Sequence, residues 1–221
     1  PETVTIGELL ADNLNGPRRF GFGTIRDWVI GLAVVLPDGR LIRNGGKVVK
    51  NVAGFDLCRL FVGAKNELGI IVEAAFKLQP LPEAEAHLAK CCESLGQAED
   101  LLEKIWASDL QPTVLDLYRI DGEPLTLLAG FAGPSADVET QSDAANALGF
   151  ADEASLDYDT RFRQTALSFT SVAPGNLIST LLNLGEESFV ARAGNGVIYH
   201  TSAKVSEVPS PDLQKRVKAI F

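Results

Sequence analysis

Methionine is absent from all 221 residues, and cysteine and histidine are scarce, with three Cys and two His. A natural reading frame opens on Met and this chain opens on Pro1, so a processed, trimmed or partial polypeptide is expected. Cys58, Cys91 and Cys92 form neither an even disulfide framework nor a C-x-x-C site, and neighbouring Cys91 and Cys92 would face opposite sides of a strand. A zinc or iron–sulfur centre held within the chain is therefore not expected. His87 and His200 lie far apart, so a metal site would have to be built mainly from carboxylates. Apolar runs of the roughly 20 residues needed to cross a bilayer are missing, as are a basic n-region and an apolar h-region at the start. Positive charge is in deficit: 20 Lys and Arg against 29 Asp and Glu leave a net charge of -9, which argues against a nucleic-acid partner. A cytoplasmic location is the expectation from these features.

What is present is ordinary for a folded protein, 46% hydrophobic and 22% charged, enough for one large or two small domains. In "WVIGLAVVLPDGRLIRNGG" an apolar run meets the turn Pro37-Asp38-Gly39 and returns over Arg40 to Arg43, which predicts a β-hairpin. In "AGFDLCRLFVGA" Asp56 is placed to cap a short helix whose Leu57, Leu60 and Phe61 share a face and which Gly63 ends. "LGIIVEAAFKL" predicts a strand stopped by Pro80 and Pro82. Beyond the Pro- and Glu-containing "QPLPEAEA", the pattern becomes βαββαβ, then a helix over 176–184 and two strands near 188–193 and 196–201. The fold class is α+β, with helices layered on an antiparallel sheet. The expected domains are 1–82 and 83–205, followed by a polar tail over 206–221.

Clustered glycines mean tight turns or a ligand resting on the backbone, and both readings stay open. "GFGTIR" is not a dinucleotide fingerprint, because it does not follow a strand and open a helix. Arg18, Arg19 and Arg26 form a cationic cluster in an acidic chain, suited to a phosphate or a carboxylate, or simply solvated.

The ordered combination of "TIGELLADNLNGPRRFGFGTIRDWVIGLAVVLPDG" and "KNVAGFDLCRLFVGAKNELGIIVEAAFKL" resembles the later half of the FAD-binding domain of vanillyl-alcohol-oxidase (PCMH-type) flavoproteins. Within that family it looks most like the glycolate oxidase E-subunit group, near the D-lactate and D-2-hydroxyglutarate dehydrogenases. The resemblance covers Thr3 to Pro82, and the remainder is similar to the family's ferredoxin-like cap in element order and length. It implies the second subdomain of a PCMH-type FAD domain followed by that cap. It also implies an FAD-linked subunit oxidising a small 2-hydroxy acid of the glycolate or D-lactate class by hydride transfer to flavin, or alternatively a non-catalytic subunit serving assembly.

By the same resemblance, Thr5, Ile6 and Gly7 lie along the flavin and ribityl chain, and Asn13, Gly16 and Gly23 approach the pyrophosphate. Lys50 and Asn51, with Gly54 and Asp56, pack near the cofactor cleft, and Gly69, Ile70 and Ile71 meet the adenine; Arg18, from the cationic cluster and not from the resemblance, is expected to add positive charge for the cofactor. Implied partners are a flavoprotein subunit and an iron–sulfur subunit, with placement in the cytoplasm or at the inner membrane through them. Glu8 stands where the family usually has glycine, and Gly63-Ala64-Lys65-Asn66 replaces its G-S-x-G. The family's first FAD subdomain would precede Thr3, so a truncated chain that is colourless or binds FAD weakly is expected.

Overall fold

The computed structural model describes residues 4–46, 56–163, 166, 168–185 and 187–201. Two compact units form: Pro1–Ala86 with Gln111–Val114 and Gly130–Gln141, and His87–Leu110 with Leu115–Ala129 and Ser142–Phe221.

In the first unit three short helices, α1 (Ile6–Asp12), α2 (Arg19–Phe22) and α3 (Ile25–Trp28), lead into strand β1 (Val29–Val35). The expected hairpin follows: β1 pairs antiparallel with β2 (Leu41–Gly45), Val35 opposite Leu41 and Gly31 opposite Gly45. Its turn closes through Gly39 N–H to Leu36 and Leu36 N–H to Arg40, while Asp38 accepts from the Arg40 backbone at 3.0 Å. Gly45 has φ +72°, and a Cβ there would stand 2.2 Å from the Ile30 carbonyl oxygen, so side chains are excluded. After α4 (Cys58–Phe61), strand β3 (Ile70–Phe76) pairs with the other edge of β1, giving the order β2-β1-β3.

One face of this sheet buries Leu32 and Val34 beneath Leu10 of α1 and Cys58, Phe61 and Val62 of the α4 segment. The face expected for α4 is corrected here. Phe61 is buried, but Leu60 is 48% exposed, and Cys58, three residues before Phe61, takes the inward place. Strand β3 stops at Phe76, before Pro80 and Pro82, so the prolines do not end it; Lys77 already gives its N–H to Trp28 outside the ladder.

The remaining elements are β4 (Ala84–Cys91), α5 (Leu95–Trp106), β5 (Val114–Arg119), β6 (Thr126–Gly133), α6 (Ser135–Ala147), β7 (Asp152–Glu153), α7 (Asp157–Arg163), β8 (Ser168–Ser171), α8 (Leu177–Leu184), β9 (Phe189–Arg192) and β10 (Val197–His200). The sheet runs β7-β4-β6-β5-β9-β10-β8. Ser94 caps α5 by accepting from Gln97 N–H, and Ala98, Leu101, Leu102 and Ile105 are buried as their spacing predicts, whereas Trp106 is half exposed. Cys91 is exposed and Cys92 buried, so the pair does face opposite ways. The architecture is α+β.

Between β3 and β4 the backbone forms neither helix nor strand, and Leu78 and Leu81 are 91% and 92% exposed. Limited proteolysis is expected to cut first between Pro80 and Glu85; a chain that loses only its ends while this segment survives would contradict the 82/83 boundary.

Candidate functional site

Three of the residues to which the resemblance gives a cofactor role stand at a helix start. Thr5, Ile6 and Gly7 open helix α1, where Thr5 is the N-cap and Glu8 completes a capping box. The Glu8 carboxylate accepts from Thr5 N–H at 2.8 Å and from its hydroxyl at 3.0 Å, and Glu8 N–H returns to Thr5 Oγ1 at 3.2 Å. The carboxylate is thus turned onto the helix start, an end that otherwise attracts anions. These hydrogen bonds from Thr5 hold the Glu8 carboxyl below its ordinary value of 4.5. A group lowered on folding adds stability that is full above 4.5 and disappears as pH falls through the folded value. T5-I-G-E8 carries this signal in the sequence.

At the other end of α1, Asn13 is left-handed, with φ 50° and ψ 47°, and closes the helix onto Leu9 and Leu10. The loop before β3 is fastened there: Gly63 N–H bonds Leu10 and Lys65 N–H bonds Ala11, both at 2.9 Å. Asn15 accepts from Ile25 N–H at 2.8 Å, which ties α3 to the same corner. Arg26 of α3 reaches it too, donating to the Val62 carbonyl at 2.7 Å, and its Nε is buried without a partner. Thr24 and Asp27 form a second capping box, with hydrogen bonds from Thr24 holding the Asp27 carboxyl down.

Other expected residues stand apart from this corner. Gly16 sits in an exposed turn, with open space where a Cβ would go. Arg18 is ion-paired with Glu85. Gly23 ends α2 at φ +79°. Gly69 lies against β1, where a Cβ would be 2.7 Å from Val34 Cγ1. Ile70 points outward, 58% exposed, while Ile71 packs toward the core. Lys50, Asn51 and Gly54 lie outside the described residues. On the sheet, Gly31, Ala33, Gly45, Gly46 and Ala75 line a shallow groove of about 190 Å³ with Arg43 and Glu73 beside it.

The sequence reading missed a buried polar cluster in the second unit. Register sets Asp116 of β5 opposite Arg192 of β9, and Arg192 pairs with both Asp116 and Asp159 of α7. The Tyr158 hydroxyl donates to Asp116, and the Tyr158 ring stacks on Tyr118 at 4.2 Å. Burial pushes the Asp116 carboxyl up, and Arg192 with the Tyr158 hydroxyl pulls it back. Burial also opposes the Arg192 charge, but the two carboxylates outweigh it and its pKa is raised. Among the described residues no group of three His, Cys, Asp or Glu is placed to hold a metal, and no helix is long and apolar enough to cross a membrane.

No protein-family model matches the chain. It is 41% identical over 128 residues to glycolate oxidase subunit GlcD of Bacillus subtilis, covering 58% of this chain and 27% of that one. Glycolate oxidase subunit GlcE of Escherichia coli is 43% identical over 89 residues, 40% of this chain and 25% of its own length. A D-lactate dehydrogenase of Archaeoglobus fulgidus is 43% identical over 79 residues, 36% of this chain and 18% of that protein. The matches thus span about a quarter or less of these relatives. Among solved structures, alkyldihydroxyacetonephosphate synthase superposes with a TM-score of 0.64 over 89% of this chain and 49% of that one at 19% identity, a likeness of fold.

Proposed function

We propose that this chain is part of an FAD-linked oxidoreductase of the glycolate oxidase type, acting on a small 2-hydroxy acid of the glycolate or D-lactate class. The observation that carries the reading is the sequence identity to glycolate oxidase subunits, 41% over more than half of the chain. The described residues fit an anionic dinucleotide by donor chemistry at the Asn13 corner, where an amide, a guanidinium and glycine backbone meet. They fit it poorly at Thr5, whose N–H is already given to Glu8. FAD, when bound, supplies the ring that accepts hydride. The chain's own part is to bind and orient: Asn13 and Gly23 toward the phosphates, Thr5, Ile6 and Gly7 along the ribityl side, and Gly69, Ile70 and Ile71 toward the adenine. Gly16, Lys50, Asn51 and Arg18 complete the proposed set.

Replacing Glu8 by glycine frees Thr5 N–H and removes a negative charge from the helix start. Glu8→Gly is expected to tighten FAD binding, most clearly at low salt where repulsion is least screened. Equal affinities of the two proteins by fluorescence titration would remove Glu8 from the site.

A second reading, an assembly subunit without turnover, is favoured by the same Glu8 cap and by outward Ile70, Val72 and Leu41 on the three-stranded sheet. The partners proposed under either reading are a flavoprotein subunit and an iron–sulfur subunit. Purifying the assembly and recording its visible spectrum before and after anaerobic addition of glycolate or D-lactate tests the enzymatic reading. Bleaching of flavin absorbance supports it, and a colourless subunit that still co-purifies with partners supports assembly.

A further inference from the structure

We propose that the outer face of the three-stranded sheet in the first unit is an interface on which a second copy of this chain docks, through a two-fold axis parallel to β1. Register and burial define the face. Leu32 and Val34 of β1 point into the core, with Ile42, Ile71 and Ala74 packed against it, so the alternate residues Gly31, Ala33 and Val35 point the other way. Across the three strands the pairing makes rows: Leu41, Val35 and Ile70, then Arg43, Ala33 and Glu73, then Gly45, Gly31 and Ala75. The register shifts between the Val34–Ile71 and Ala33–Glu73 pairs, which leaves Val72 as an extra residue on β3.

The three rows differ in chemistry. At one end Leu41, Ile70 and Val72 are 50%, 58% and 56% exposed, and a group of large apolar side chains held together on a sheet face is what an interface buries. The middle row is charged: Arg43 and Glu73 stand on the two outer strands and pair at 3.2 Å across Ala33, with both side chains more than half exposed. The last row is small, and Gly31, Ala33, Gly45 and Ala75 line a groove that another surface can approach closely.

The charges select the occupant. A partner of one sign would attract one of Arg43 and Glu73 and repel the other. A second copy turned by half a revolution about an axis along β1 instead lays its β2 over β3. Its Glu73 then meets Arg43, its Arg43 meets Glu73, and its Ile70 meets Leu41, while Val35 meets its own counterpart. That is the reciprocal pattern of an isologous contact. Two sheets stacked face to face lie about 10 Å apart, a gap that both charged side chains can bridge. Each chain carries a net charge of -9, so two copies repel at long range, and the reciprocal pairs fix the register of the contact more than they strengthen it. The contact does not depend on the flavin reading.

The test is sedimentation equilibrium of the whole chain over a dilution series at about 0.15 M salt. Wild type is compared with Leu41→Lys, Arg43→Glu, Glu73→Arg and, as a control, Leu182→Lys, which changes an apolar side chain of α8 that is 64% exposed. Wild type is expected to dimerise. Leu41→Lys, Arg43→Glu and Glu73→Arg should each weaken the dimer about tenfold or more, and Leu182→Lys should leave it unchanged. The distinctive result comes from mixing. Either charge variant alone sets like charges against each other across the axis, whereas one copy of each restores both ion pairs, so an equimolar mixture should form a dimer that neither forms alone. Should Leu41→Lys fail to fold, judged by its far-ultraviolet circular dichroism, the exposed charge pair carries the test. The inference is overturned if wild type stays monomeric, if the charge variants dimerise as tightly as wild type, or if their mixture dimerises no better than each alone. It is overturned too if a monomeric wild type binds the partner subunits and Leu41→Lys abolishes that binding, which would assign the face to one of them.

Discussion

Arg192→Met is expected to destabilise the second unit by about 3–5 kcal/mol, because it strands two carboxylates that the fold has removed from water. Arg192 is 2% exposed and Asp116 is fully buried. Asp116 already carries one oxygen without a hydrogen-bond partner, so its remaining oxygen depends on Arg192 and Tyr158. The cost is one of isolation and not of lost attraction. Replacing the charges together, Arg192→Met with Asp116→Leu and Asp159→Leu, should therefore recover much of the loss. Urea denaturation at constant slope measures both. A single-variant loss under 1 kcal/mol, or a triple variant that sums the single losses, would show that the cluster is not coupled in this way.

Phe61→Ala is expected to have a comparable effect in the first unit, about 3–5 kcal/mol, by opening a cavity between α4 and the sheet. Phe61 is 6% exposed and packs in one cluster with Leu10, Val29, Leu32, Val34, Cys58 and Val62. The consequence extends to binding, since the loop that follows α4 is fastened to the end of α1 through Gly63 and Lys65. Displacing it separates Gly63 from Asn13 and Arg26. Phe61→Leu, which keeps most of the volume, should lose less than half as much stability. A Phe61→Ala protein with unchanged stability in urea denaturation would contradict the packing described for this corner.

The hairpin of β1 and β2 was legible because Pro37-Asp38-Gly39 dictates a reversal after the apolar, β-branched run of Val29–Val35. Helix α5 was legible because its inward positions repeat at helical spacing. Helix α1 was not read from the sequence, although Thr5 and Glu8 stood at capping-box spacing, because seven residues are too few for apolar periodicity to declare itself. Helix α7 was missed for another reason: "DYDTRFR" has only two apolar side chains, and its anchors, Tyr158 and Asp159, turn inward for partners on distant strands. Asp116 and Arg192 are 76 residues apart, and local pattern carries no record of such a pairing.

The candidate site divides in the same way. The positive φ of Gly23 and the crowding at Gly69 explain why those glycines stand where they do, whereas Gly16 has open space around it. Arg18 and Arg26 read alike as a cationic cluster, and only the fold separates them, one paired with Glu85 and the other bonded to the Val62 carbonyl, with no carboxylate partner among the described residues.

The most direct measurement of the central claim is the anaerobic visible spectrum of the purified assembly containing this chain, before and after glycolate or D-lactate is added. The account predicts flavin absorbance that is bleached by at least one of these 2-hydroxy acids and restored by an electron acceptor. An assembly with fully loaded flavin that neither acid reduces, or one that never carries flavin, would contradict it.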